Sequence, residues 1–255
     1  MDEKTNRLVK WAKGIPQPPS TIELITTDRC NFNCPSCWRQ GVSKKELEEK
    51  YKHELSDERL LKLVDEAHEL GVLEFAFVGG GEPFFRPITF ELMKKIRKYG
   101  MQGDVVTNGS LLTKEVINTL VDIEWTRIKV SVDGSNAKLQ DELRGVKCYD
   151  NIFKNLKYLA DVKKQKNKEN PKVGFNTVIS NKNYKDLPNI IELANNLGVN
   201  EILILPLTVF SEQGKKLKLN LKQMSEFQII IKKCLPLLKK YNVHSNLEKF
   251  LDLRY

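Results

Sequence analysis

The sequence lacks the long apolar segments that place a protein in a membrane or direct it out of the cell. No run of about 18 apolar residues occurs in the chain. The first residues, MDEKTNRLVK, are charged where a signal peptide would become apolar. We therefore expect a cytoplasmic protein without a membrane partner. With 255 residues, of which 40% are hydrophobic, the chain can form the core of a globular protein.

Cysteine is also scarce. The chain has five cysteines, an odd number, and an odd number cannot form a complete set of disulfide pairs. Three of them lie in CNFNCPSC, residues 30–37, whereas Cys148 and Cys234 are isolated in the sequence. Clustered thiols in a chain without an export signal indicate metal ligation or reactive thiols. Cys30, Cys34 and Cys37 are therefore the candidate metal ligands.

The net charge of +9 arises from 42 Lys and Arg against 33 Asp and Glu. Much of the excess lies in KKQKNK, residues 163–168, and KKLK, residues 215–218. A basic surface can attract RNA, a phosphorylated substrate or an acidic partner protein. No aromatic residues are interleaved with these lysines, so we interpret both runs as solvated segments. Nucleic acid is a compatible partner that the pattern does not favour.

Strand and helix patterns alternate along the chain. Predicted strands cover Thr21–Thr27, Val72–Gly79, Gly103–Gly109, Arg127–Gly134, Lys172–Ser180 and Glu201–Leu207. Predicted helices cover Ser56–Leu70, Phe90–Tyr99, Thr113–Val121, Asp150–Lys163, Leu187–Leu197 and Leu221–Tyr241, with a kink expected at Pro236. Such alternation requires parallel strands joined by right-handed crossovers. We predict an α/β fold, a partial (β/α)6 barrel with outer helices, over residues 21–207. Residues 1–20 would be an N-terminal extension and residues 208–255 a C-terminal helical extension.

The unusual residues follow the predicted strands. The three cysteines come after the first strand, GGGEP (79–83) ends the second, TNG (107–109) ends the third, and SVDG (131–134) ends the fourth. In parallel barrels the active site lies at the C-terminal ends of the strands. We therefore expect these four segments to meet at one mouth of the barrel.

The cysteine spacing distinguishes two kinds of metal site. A structural zinc ion takes four protein ligands, commonly as two pairs, whereas Cys-x-x-x-Cys-x-x-Cys offers three from one loop. A [4Fe–4S] cluster held by three thiolates keeps one iron open to a small molecule. The alternative, a zinc-stapled nucleic-acid-binding module, would explain the cysteines and lysines. It would not explain the glycine- and glutamate-containing strand ends.

Together, the cysteine motif after the first strand and Gly80-Gly81-Glu82-Pro83 after the second resemble the radical S-adenosylmethionine (radical SAM) superfamily. The resemblance covers roughly residues 21–207. It is strongest to the branch that contains the molybdenum-cofactor cyclase and the peptide-maturing enzymes, through TNG, SVDG and the LRG of residues 143–145.

This resemblance implies a mechanism. The three cysteines would hold a [4Fe–4S] cluster, and S-adenosyl-L-methionine would chelate the fourth iron. An external electron donor of the flavodoxin or ferredoxin type would reduce the cluster. Cleavage of S-adenosylmethionine would then give a 5′-deoxyadenosyl radical, which abstracts a hydrogen from the substrate. A peptide or small metabolite is the expected substrate, and the remaining two cysteines make an auxiliary cluster domain improbable.

The resemblance also implies which residues bind S-adenosylmethionine. They are Gly80, Gly81, Glu82, Asn108, Ser131, Asp133 and Arg144. The glycines would let backbone carbonyls approach the ammonium group, with Glu82 nearby. Ser131 would contact the ribose or carboxylate, and Arg144 would pair with the carboxylate. Asn108 and Asp133 precede glycines, so turn formation explains them equally well.

One position departs from the pattern of the family. Its members commonly carry a bulky residue just before the third cysteine, where this chain has Ser36, and Trp38 follows the cysteine instead. We expect Trp38 to pack under the loop.

Overall fold

A seven-stranded parallel sheet forms the centre of the computed structural model, which describes residues 2–251. The strands are β1 (Thr21–Leu24), β2 (Glu74–Phe77), β3 (Gln102–Thr107), β4 (Arg127–Ser131), β5 (Lys172–Ile179), β6 (Glu201–Pro206) and β7 (His244–Ser245). Each strand pairs with the next one along the chain, in the order β1 to β7. All six pairings are parallel. The predicted partial barrel is confirmed, with one strand more than predicted.

Helices connect the strands. They are α1 (Glu3–Ala12), α2 (Lys44–Lys52), α3 (Asp57–Glu69), α4 (Ile88–Lys98), α5 (Lys114–Asp122), α6 (Ala137–Arg144), α7 (Tyr149–Gln165), α8 (Leu187–Asn196), α9 (Glu212–Lys215) and α10 (Leu221–Tyr241). Short 3-10 turns cover Trp38–Gly41, Pro83–Phe85 and Leu247–Phe250. Helix α10 continues through Pro236 as one helix. No helix within residues 2–251 is both long enough and apolar enough to cross a membrane.

The two faces of the sheet differ in chemistry. One face carries apolar side chains that are buried in the core, from Leu24, Phe77, Val105, Ile128, Phe175 and Ile202. The other face carries an ionic network near the N-terminal ends of the strands. There Arg127 contacts Glu74 at 2.9 Å and Asp104 at 3.1 Å, and Lys129 contacts Asp104 at 3.0 Å. Lys4 of α1 also pairs with Glu74. The charges at this end lie opposite the strand ends that carry the motifs.

Four helices, α1, α2, α6 and α9, and one strand, β7, were not predicted from the sequence. Helices α1 and α2 contain no buried residue, so no apolar stripe directed at the core marks them. Helix α2 begins instead with a capping box between Ser43 and Glu46. Helix α6 is short, and β7 has two residues that pair with Glu201 and Ile202 of β6. The segment after α10 therefore belongs partly to the sheet. The tail at 252–255 lies outside the described residues.

Candidate functional site

The three clustered cysteines lie in the loop after β1. Cys30, Cys34 and Cys37 are half-buried free thiols. The loop turns where the Cys37 amide donates to the Cys34 carbonyl at 3.0 Å, and the Phe32 amide donates to the Cys30 sulfur at 3.4 Å. Burial raises the pKa values of Cys30 and Cys34 because it disfavours the thiolates. Positive charge at this position would favour the thiolates, and a metal centre supplies it.

Arg39 joins this loop to α2. Its guanidinium donates to the Phe32 carbonyl at 3.3 Å and to the Tyr51 hydroxyl at 3.1 Å. Arg29 lies over the Tyr51 ring, 4.6 Å from its centroid. The unpredicted helix α2 therefore supports the cysteine loop from outside the barrel.

The glycine-rich end of β2 lies directly against the chain that leads into the cysteine loop. The Gly81 amide donates to the Thr27 carbonyl and the Glu82 amide to the Arg29 carbonyl, both at 2.8 Å. A Cβ on Gly81 would lie 1.9 Å from the Arg29 oxygen, so only glycine fits. Trp38 is half-buried and its indole N–H donates to the Gly80 carbonyl at 3.0 Å. Trp38 therefore joins the cysteine loop to the glycine-rich end of β2, and its packing under the loop stays a prediction.

Glu82 connects the ends of β2 and β3. Its side chain is buried, with 1% of the residue exposed. One carboxylate oxygen accepts from the Thr107 hydroxyl at 2.7 Å and the Phe84 amide at 3.2 Å, and the other accepts from the Asn108 amide at 2.7 Å. Burial raises the pKa of Glu82, and these hydrogen bonds oppose that rise. In the structure this carboxylate positions the TNG segment, and its contact with S-adenosylmethionine stays a prediction.

Asn108 carries the connection on to the cysteines. Its side-chain amide donates to Asn31 at 2.9 Å and lies 3.9 Å from the Cys30 sulfur. Its carbonyl oxygen accepts from the Ser110 amide at 2.9 Å. Asn108 therefore makes the turn contact that Asn-Gly favours and also contacts the cysteine loop.

The end of β4 and helix α6 meet the loop at Cys34. Asp133 and Arg144 form an ion pair at 2.8 Å, with 2% and 9% of each residue exposed. The Val178 amide donates to the other oxygen of Asp133 at 2.8 Å. Burial raises the pKa of the Cys34 thiol, and the adjacent Arg144 guanidinium opposes that rise. Gly145, which ends α6 at φ +68°, lies against the loop, because a Cβ there would be 2.6 Å from the Asn33 carbonyl oxygen.

Several buried polar atoms near this mouth have no hydrogen-bond partner within residues 2–251. They include Nε of Arg39, Nε of Arg144 and Oδ1 of Asn176, a residue of β5. Asn176 pairs in register with Ser131 of β4, which is half-buried. Unpartnered buried polar groups are rare and indicate a missing ligand or water. Three thiols, a glycine cradle and these groups fit a [4Fe–4S] cluster with a polar ligand beside it.

The structure places the predicted site residues at one mouth of the barrel. Ser131 lies there at the end of β4, in register with Asn176 of β5. The sequence analysis missed Asn31 and Arg39. Asn31 lies inside the cysteine motif and Arg39 just after it, and this proximity in sequence could have identified them. Among the described residues, no three His, Cys, Asp or Glu side chains converge to hold a single metal ion. The alternative, a zinc-stapled nucleic-acid-binding module, does not explain why the glycine-rich end of β2 lies directly against the chain that carries the cysteines.

A match to the Radical SAM superfamily spans residues 24–194, more than half of the chain. The chain belongs to the radical SAM superfamily. Enzymes of this family use a [4Fe–4S] cluster and S-adenosylmethionine. The cysteine loop, the glycine-rich strand end and the partial barrel described above all lie largely within the matched residues.

Two curated relatives illustrate the range of this radical SAM family. A tungsten-containing aldehyde ferredoxin oxidoreductase cofactor-modifying protein from Pyrococcus furiosus is 30% identical over 195 residues, 73% of this chain and 52% of that protein. The AdoMet-dependent heme synthase of Methanosarcina barkeri is 31% identical over 183 residues, 71% of this chain and 48% of the synthase. The chain thus spans about half the length of these relatives.

Solved radical SAM structures share the fold. SuiB of Streptococcus suis bound to S-adenosylmethionine superposes with a TM-score of 0.74 at 16% identity, covering 98% of this chain and 57% of SuiB. The structure of anSMEcpe with bound AdoMet and the Cp18Cys peptide gives a TM-score of 0.69 at 17% identity, covering 89% and 63% of the two chains. At these identities the likeness shows the fold alone.

Proposed function

We propose that this chain is a radical SAM enzyme in which a [4Fe–4S] cluster held by Cys30, Cys34 and Cys37 supplies the electron that cleaves S-adenosylmethionine to methionine and a hydrogen-abstracting 5′-deoxyadenosyl radical. The observation that carries the proposal is the contact of three other segments with the cysteine loop. The ends of β2 and β3 touch that loop through Gly81 and Asn108, and the end of α6, the helix after β4, touches it at Gly145.

The residues of the mouth suit S-adenosylmethionine. The left-handed Gly80, at φ +63°, and Gly81 bring backbone to the site without side chains. Ser131 and Asn176 present polar groups from adjacent strands to one face of the sheet. The free Nε of Arg144 is a charged donor suited to a carboxylate. We assign the ammonium to the backbone at Gly80 to Glu82 and the carboxylate to Arg144.

For the substrate we propose a peptide or a small metabolite. The peptide proposal draws on structures with the same fold that hold peptides, SuiB with the precursor peptide SuiA and anSMEcpe with Cp18Cys. The small-metabolite proposal draws on the curated relatives, whose names include a heme synthase and probable GTP 3′,8-cyclases. Residues 39–55 follow the cysteine motif, and residues 208–221 follow β6. We propose that these two segments contact the substrate.

The proposed electron donor is a small acidic redox protein of the flavodoxin or ferredoxin type. A net charge of +9 favours association with such a donor. We also propose a cytoplasmic location, where thiols remain reduced. We propose residues 21–207 as the catalytic barrel, with extensions at 1–20 and 208–255.

The test is cleavage of S-adenosylmethionine. The chain is reconstituted anaerobically with iron and sulfide, reduced with dithionite and incubated with S-adenosylmethionine, and 5′-deoxyadenosine is quantified by chromatography. We expect 5′-deoxyadenosine from the wild type and from Cys234→Ala, whose thiol is buried in α10. We expect none from the Cys30, Cys34 and Cys37→Ala triple variant. Equal product from the triple variant, or none from the wild type, would refute the proposal.

A further inference from the structure

The carboxylate of Asp133 is held from two sides. One oxygen accepts from the Val178 backbone amide on β5 at 2.8 Å, and the other pairs with the Arg144 guanidinium at 2.8 Å. A backbone donor within a paired strand cannot move away from its acceptor as a side chain can. Strand β5 therefore fixes the carboxylate, and the carboxylate in turn fixes the guanidinium.

The same guanidinium faces the cysteine loop. Arg144 is the last residue of α6, and the next residue, Gly145, lies against Asn33, the neighbour of Cys34. A Cβ on Gly145 would lie 3.7 Å from the Cys34 backbone nitrogen, which places the end of α6 at this ligand. The charge of Arg144 opposes the rise that burial causes in the pKa of Cys34, and the Nε of Arg144 has no partner within residues 2–251. Only 9% of Arg144 is exposed, so its positive charge acts on its neighbours with little screening by water.

We propose that Asp133 is a positioning residue that holds Arg144 against Cys34, and that the guanidinium thereby raises the reduction potential of the cluster. One-electron reduction adds negative charge to the cluster, with the electron supplied by the external donor. A fixed cation beside a ligating sulfur stabilises the reduced form more than the oxidised form. This inference rests on the proposed function. It gives Arg144 a role before S-adenosylmethionine binds.

The direction in which Asp133→Asn shifts the reduction potential distinguishes a positioning role of Asp133 from an effect of its own charge. If Asp133 acted only through its own negative charge, Asp133→Asn would raise the potential. Asparagine has a single acceptor oxygen, and if that oxygen keeps the Val178 amide, the NH₂ group faces the Arg144 guanidinium, donor against donor. The guanidinium is then released from Cys34. A positioning role therefore predicts that Asp133→Asn lowers the potential.

The experiment is a redox titration of the reconstituted protein without S-adenosylmethionine, in which the reduced cluster is quantified by electron paramagnetic resonance. We expect Arg144→Met to disfavour reduction about tenfold, which is a shift of about 59 mV to more negative potential for one electron. Asp133→Asn should shift the potential in the same direction. The double variant Asp133→Asn with Arg144→Met should match Arg144→Met alone, because Asp133 acts through Arg144.

Two further measurements complete the design. Each single variant leaves one buried charge without its partner, whereas the double variant leaves none. The double variant should therefore show the lower potential even if a single variant does not fold. Asp104→Asn removes another buried, ion-paired carboxylate of the sheet, near the other end of the strands, and should leave the potential unchanged. A raised or unchanged potential in Asp133→Asn, an unchanged potential in Arg144→Met, or a double variant that differs from Arg144→Met would overturn the inference alone. A wild type without a cluster would overturn the proposed function as well.

Discussion

At the scale of single residues, Glu82 has a clear structural task. Its two carboxylate oxygens accept three hydrogen bonds, two of them from backbone amides that cannot turn away. Thr107, Phe84 and Asn108 each donate a hydrogen bond to the carboxylate. Water has little access to Glu82, because only 1% of the residue is exposed. The glutamate of the GGE segment therefore determines where Asn108 lies, and Asn108 contacts the cysteine loop.

Substitution of Glu82 by glutamine tests this task. Glutamine has one acceptor oxygen, so either the Asn108 amide or the Phe84 amide loses its partner in a buried site. We expect the free energy of unfolding of the cluster-free chain to fall by about 1–3 kcal/mol, measured by urea denaturation under reducing conditions. Glu91→Gln, at an exposed residue paired with Lys94, should change it by less than about 0.5 kcal/mol. Equal effects of the two substitutions would show that the Glu82 hydrogen bonds do not stabilise the fold.

At the scale of elements, the cysteine loop is held by two neighbouring segments through contacts that need glycine. A Cβ added to Gly81 or Gly145 would overlap a loop carbonyl and displace the loop. Gly81 lies at the end of β2, and Gly145 lies at the end of α6, the helix after β4. The loop conformation is therefore set by its neighbours as much as by its own sequence.

Gly145→Ala tests the approach of α6, with Gly198→Ala as the matched control. Both glycines follow helices in the left-handed region, at φ +68° and +66°, but an added Cβ meets the Asn33 carbonyl at 2.6 Å in the first and nothing within 4 Å in the second. Each alanine should cost roughly 1–2 kcal/mol of backbone strain, seen as a lower thermal midpoint. Only Gly145→Ala should also reduce the iron retained per chain. Equal iron in both variants would mean that α6 does not shape the loop.

The elements also show what the sequence could predict. Strands β1 to β6 and the helices α3, α4, α5, α7, α8 and α10 were predicted because they carry buried apolar residues with a regular period. Helices α1 and α2 have no buried residue, and β7 has only two residues, so periodicity could not find them. The cysteines were predicted from local spacing. The contacts of Arg144 with Asp133 and of Asn108 with Asn31 join distant elements, and no local pattern records them.

At the scale of the whole molecule, the sheet separates two kinds of chemistry. Toward the N-terminal ends of the strands, Glu74, Asp104, Arg127 and Lys129 form an ionic network, in which one Asp104 oxygen accepts no hydrogen bond from the described residues. At the C-terminal ends, Arg144 and Asn176 retain unpartnered buried atoms among the described residues, beside three free thiols. Opposite charges therefore pair with one another at one end of the barrel. The other end combines free thiols with polar atoms that lack a partner.

Three thiolates should hold a cluster whose fourth iron is open to S-adenosylmethionine. Mössbauer spectroscopy of the chain reconstituted with ⁵⁷Fe, recorded with and without S-adenosylmethionine, tests this arrangement. We expect a [4Fe–4S] spectrum in which S-adenosylmethionine alters one iron site and leaves the other three unchanged. A spectrum that S-adenosylmethionine does not alter, or a chain that retains no iron, would show that the three cysteines do not hold such a cluster.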